Sequence, residues 1–149
     1  MILDLRQLTL APFLGFPGFL PFVVLSGVVM VMHDNKSCAF MLLIYGAIIS
    51  TFVGSVHLGL ALQSDPSCLT TQIQFFRSIV PAILAWSIAV TMTMAWALVA
   101  MSSLFAISIY VDWMFSRIIN TPAWYFRMRF ALSPCVSIIF PSAGSALWI

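Results

Sequence analysis

Charge is what this chain has least of. Only 7% of its 149 residues are Asp, Glu, Lys or Arg, and glutamate is missing altogether, where a soluble domain carries roughly 25% charged residues. With 62% hydrophobic residues and a mean hydropathy of +1.11, such a chain could not cover its surface in water. That excludes a secreted module, a cytosolic enzyme and a nucleic-acid binder. A net charge of +2 is in any case no dense basic stripe. Motifs are missing too. There is no GxGxxG, P-loop, GxSxG or HExxH, so nucleotide, hydrolase and zincin readings have no support. Four aspartates are the only carboxylates, which makes a paired-carboxylate site essentially unavailable. The chain is therefore expected not to be an enzyme and to carry no cofactor. Cys38, Cys68 and Cys135 stand far apart with no CxxC or Cys/His pair at zinc spacing; they read as apolar fillers or loop thiols, and no metal is expected. Residues 1–16 place charges of both signs ahead of an apolar run that continues past Met30, the pattern of neither a signal peptide nor a transit peptide.

What is present is a series of long apolar runs. Phe13–Met32 opens among Pro12, Pro17 and Pro21 and ends at His33-Asp34-Asn35-Lys36. Ala39–Leu62 stops at Gln63-Ser64-Asp65-Pro66-Ser67, where Asp-Pro favours a turn. The stretch between Arg77 and Asp112 would be ~51 Å long as one helix, far beyond a hydrocarbon core of ~30 Å. It is expected to split into 78–92 and 95–115, turning at Thr93. The last run is Phe130–Ile149, interrupted by Pro134 and Pro141. The expected fold is an all-α integral membrane protein, a single bundle of five transmembrane helices. Charge supports the count: with five spans Arg6, Arg77, Arg117, Arg127 and Arg129 share one side and Lys36 alone lies opposite. The positive-inside rule then puts the N-terminus on the cytoplasmic or matrix side. Trp124 and Tyr125, beside Arg127 and Arg129, read as an interfacial belt able to meet lipid head groups, cardiolipin among them.

Two features of the second run stand out. Gly46, Ser50 and Gly54 recur every four residues, with Ala47, Thr51, Ser55 and Gly59 as a second ridge beside them. Small residues at this spacing let helices approach closely, so Gly46, Ser50, Gly54 and Gly59 are expected packing positions. His57 is the one ionisable residue well inside a span, and intramembrane ionisable groups are functional candidates by default. It falls at the depth of Arg77, Asp112 and Arg117. An imidazole between a carboxylate and guanidiniums can bind a quinone head group, relay a proton, or simply clamp helix ends. Bis-histidine haem is excluded within the chain, because His33 differs from His57 in depth by more than ~20 Å.

The stretch YGAIISTFVGSVHLGLAL, Tyr45–Leu62, resembles the signature of the transmembrane protein 69-like family, also called domain of unknown function 3429. GFPGFLPF at 15–22, SIVPAILAW at 78–86 and PAWYFRMRFALS at 122–133 are similar to further family segments in the same order. Leu58 stands where the family has a second aromatic after the histidine. The resemblance implies a small five-helix protein of the mitochondrial or bacterial inner membrane, and no reaction. The leading expectation is a non-catalytic accessory subunit of a larger inner-membrane assembly, a respiratory-chain complex or supercomplex, with other integral membrane subunits and phospholipid as partners. The alternatives are a quinone-binding or proton-relaying protein acting through His57, and a membrane-protein assembly factor.

Overall fold

A computed structural model of the protein describes residues 18–32, 36–62, 68–116 and 123–146, and its elements are all α-helices. They are α1 (Gly18–Val31), α2 (Lys36–Leu62), α3 (Leu69–Thr91), α4 (Met94–Phe115) and α5 (Ala123–Ala146). Three of them, α2, α3 and α4, are long and apolar enough to cross a membrane. The described part of α1 is about 21 Å long at 1.5 Å per residue. α5 has the length, but it carries Arg127, Arg129, several serines and two prolines. The first expected residues of the opening run, 13–17, lie outside the described residues. So do the polar turns at 33–35 and 63–67, and residues 147–149.

The long apolar stretch does break where helix length requires it. Met92 and Thr93 are both extended, with ψ of 151° at each, between the end of α3 and the start of α4. Two helices begin earlier than their apolar runs: α3 at Leu69 rather than 78, α5 at Ala123 rather than 130. The added turns carry polar side chains on the face that turns inward, Thr71 and Gln74 on α3 and Tyr125 and Arg129 on α5, each stripe continuing to a buried serine, Ser78 and Ser133. Hydropathy alone truncates such helices, because their polarity belongs to the interior.

The bundle is apolar outside. Phe52, Phe76, Ile83, Trp86, Trp96, Ile107 and Trp113 are all exposed, far more than a soluble surface tolerates. Hydroxyls on these outer faces fold back onto their own helices: Thr51 donates to the Ala47 carbonyl, Ser87 to Ile83 and Ser103 to Val99. No outward-facing donor of this set is left bare to hydrocarbon.

Inside, α2 packs along α3 and α4 along α5, while α4 also meets α2 and α3. Gly54 makes the closest approach. A Cβ there would run into the backbone carbonyl of Ser78, so only glycine lets α2 and α3 lie this near. Ser50 Oγ donates to the Pro81 carbonyl at 3.4 Å one turn away, and Gly46 lies under the Phe140 ring. Of the second small-residue ridge only Ala47 packs against the core. Thr51, Ser55 and Gly59 are exposed, and a Cβ on Gly59 would meet open space. Among the described residues Gly59 thus packs against no other helix: the interior face of α2 runs through Gly46, Ser50, Gly54 and His57, and Thr51, Ser55 and Gly59, one residue round, fall outside it.

Prolines sit inside α5 without ending it. Pro141 has no N–H to give the carbonyl of Ser137, four residues back. Ser102 Oγ of α4 donates to that carbonyl instead, at 2.6 Å, which turns a defect in α5 into a bond between helices.

Candidate functional site

The buried stripe of each helix changes character along its length. On α4 it reads Ala97, Met101 and Phe105, then ends at Asp112; on α5, running the other way, Tyr125, Arg129, Ser133, Val136 and Phe140. Antiparallel neighbours therefore bring the polar ends of α2, α3, α4 and α5 together. At the other end Phe22 of α1 packs edge-on against Tyr45, Phe105 and Phe140 at centroid distances of 4.9, 6.4 and 5.7 Å.

Asp112 is the centre of the polar end. His57 Nε2 lies 3.0 Å from its Oδ1, and Arg77 Nη2 donates to the same oxygen. Arg129 Nε donates to Oδ2 at 2.6 Å. One carboxylate thus holds a side chain from each of three other helices. The group is interior: His57 is 4% exposed, Asp112 and Arg129 each 6%, and the Arg77 side chain 12%. Charge-assisted bonds of this kind are the strong ones, and a water-poor interior strengthens them further. The Arg77 guanidinium also stacks 4.8 Å over the Phe115 ring. The Tyr125 ring meets His57 edge-on, centroids 6.0 Å apart, so the imidazole finds its aromatic neighbour on α5 and not at Leu58.

Of the residues singled out by depth, His57, Arg77 and Asp112 come together here. Arg117 lies outside the described residues, as do the side chains of Trp124 and Arg127. Arg129 and Tyr125 require a correction. They were expected at the lipid interface, yet both are buried, Tyr125 to 2% exposure. The reason is local: α5 begins at Ala123, which puts 125, 129 and 133 on one stripe, and that stripe faces Asp112. A four-residue spacing from Tyr125 through Arg129 to Ser133 was the available signal. Arg77 and Arg129 also direct their charge into the bundle rather than toward a membrane surface. Among the described residues no three His, Cys, Asp or Glu side chains group to hold a metal.

Beside the cluster a crevice of about 210 Å³ opens sideways out of the bundle, with His57, Arg77, Asp112 and Arg129 among its lining residues. A larger hollow of about 410 Å³ sits at the α3–α4 turn, lined by Met92, Thr93, Trp96, Val99 and Ala100. It carries no ionisable group and lies at the end of the bundle away from Asp112.

The sequence profile of a family described as protein of unknown function (DUF3429) matches residues 9–143. No curated protein and no solved structure matches the chain. The matched segment contains all four members of the Asp112 cluster and nearly the whole of the helical bundle, and the chain belongs to the DUF3429 family.

Proposed function

We propose that this chain is a non-catalytic helical subunit of a larger inner-membrane assembly, with a respiratory-chain complex or supercomplex of the mitochondrial inner membrane as that assembly. On this reading all five helices cross the membrane, and the N-terminus lies on the matrix side. The resemblance to transmembrane protein 69-like proteins fits the same location. The observation that carries the proposal is the use made of the ionic cluster. Asp112 is shared among His57, Arg77 and Arg129 of three other helices, an arrangement that fixes helices rather than presenting a free reactive group. The outer faces, with Trp86, Trp96 and Trp113 exposed, suit the packing of neighbouring transmembrane subunits and lipid. Extraction in a mild detergent tests it: the chain should migrate in a large complex and bring other integral membrane subunits with it. A chain that always runs as a free monomer refutes the proposal, and one found only with immature complexes marks an assembly factor.

The crevice favours a second reading, a quinone-binding or proton-relaying role for His57. Under it, His57→Gln abolishes the activity of the assembly while leaving assembly intact. Under the first, His57→Gln weakens the chain and spares turnover in whatever complex still forms.

A further inference from the structure

The ionic cluster does not balance within itself. Among the described residues, two guanidiniums share one carboxylate, which leaves a positive charge in surplus even with a neutral imidazole. Uncompensated charge inside a membrane bundle is costly. A second deficit lies beside it: His57 Nδ1 is buried with no hydrogen-bond partner among the described residues. His57 and Arg77 both line the sideways crevice, whose walls include Phe76, Val80, Leu84 and Ile107. Those four wall residues are exposed on the outer face of the bundle. The crevice thus combines a small polar floor, where Arg77 and Arg129 outnumber Asp112, with apolar walls that open toward the surrounding hydrocarbon.

We infer that the crevice binds the anionic head of an amphiphile, a carboxylate or phosphate oxygen held by Arg77 beside His57, with its acyl chain lying over Phe76, Val80 and Leu84. An anion cancels the surplus charge. With the imidazole neutral, Nε2–H donates to Asp112 and Nδ1 is an acceptor, so the P–OH of a singly ionised phosphate head gives Nδ1 a donor while cancelling the one surplus charge. Arg77 gives Asp112 a single hydrogen bond, and a guanidinium has five N–H donors. A neutral quinone ring would leave the surplus in place, which is why an acidic head is favoured over it. The site lies within one chain and needs no partner subunit.

Native mass spectrometry of the protein released from an uncharged detergent tests the inference. The probes are oleate, dioleoylphosphatidate, dioleoylphosphatidylcholine and decylubiquinone. One oleate or one phosphatidate should be retained per chain, at least tenfold more than either neutral-headed probe, and whichever acid is retained identifies the source of the head. Arg77→Gln should lower retention tenfold or more. Should that variant fail to fold, Val80→Trp fills the outer wall and blocks binding with the cluster intact, its unliganded unfolding temperature unchanged. Phe52→Trp, exposed and outside the crevice, should retain the acid normally. Equal retention of phosphatidylcholine, preference for decylubiquinone, or retention unaffected by Val80→Trp each overturns the inference.

Discussion

The two ends of this interior are built on opposite principles. At one end Phe22, Phe105 and Phe140 interlock with Leu42, Leu43 and Met101, a core that a soluble protein would also recognise. At the other, four helices converge on Asp112 through His57, Arg77 and Arg129. In water the first end would dominate stability, because burying aromatic surface is the main driving force. In hydrocarbon that force is largely absent, since lipid tails are as apolar as the core, and what remains is packing and hydrogen bonding. The polar end gains by the same change. Its groups have no water to return to when helices separate, so separating α4 from its neighbours exposes charge to lipid. The structure therefore assigns the stronger hold to the end that hydropathy would rank as weaker.

Asp112→Ala should show the largest effect. It leaves two arginines and a histidine buried without a carboxylate, and removing one partner of a buried ion pair costs about 3–5 kcal/mol. Most of the protein should be lost on extraction, and what survives should unfold far below wild type in a detergent-based thermal assay. A mild effect would mean that the polar end is wetter than its burial implies. Next comes Gly54→Ala, where the new methyl meets the backbone carbonyl of Ser78. Overpacking of this kind costs about 1–3 kcal/mol, toward the upper figure because a backbone atom cannot rotate away. Gly59→Ala is its control: exposed and facing open space, it should cost nothing and stabilise by up to about 1 kcal/mol, alanine being the better helix former. If both alanines behave alike, α2 is not turned as described.

Phe140→Ala probes the aromatic end. In a soluble core this truncation costs about 3–5 kcal/mol, of which the transfer from water is a large part. Here the side chain passes between protein and lipid, so a loss of about 2 kcal/mol is expected from packing alone. A cost as large as that of Asp112→Ala would erase the distinction between the two ends.

The same distinction explains what could be read from the sequence. Helix length forced the break that the structure places at Met92–Thr93, because a bilayer's thickness is a fixed ruler. Depth arithmetic put His57, Arg77 and Asp112 at one level, since rise per residue is also fixed. Rotation about a helix axis is not so constrained. Two small-residue ridges of identical spacing ran along α2, and only the position of α3 decides that Gly54 packs and Gly59 does not. Arg129 was hidden for a related reason. Beside Trp124, Tyr125 and Arg127 it looks interfacial, and its inward aim follows only once α5 is known to begin at Ala123.

The smallest expected effect is also the cleanest, because it separates a hydrogen bond from everything around it. Ser102 Oγ donates to the Ser137 carbonyl, whose normal donor is missing because residue 141 is proline. An interhelical bond in a membrane protein averages about 0.6 kcal/mol, so Ser102→Ala alone should lower the unfolding free energy by roughly that amount. Pro141→Ala restores an N–H within α5, giving the carbonyl a second donor. In that background Ser102→Ala should cost less than half as much, and the double-mutant cycle reads the difference directly. Equal costs in both backgrounds would show that Ser102 acts through packing, and that the α4–α5 seam depends on shape where the Asp112 end depends on charge.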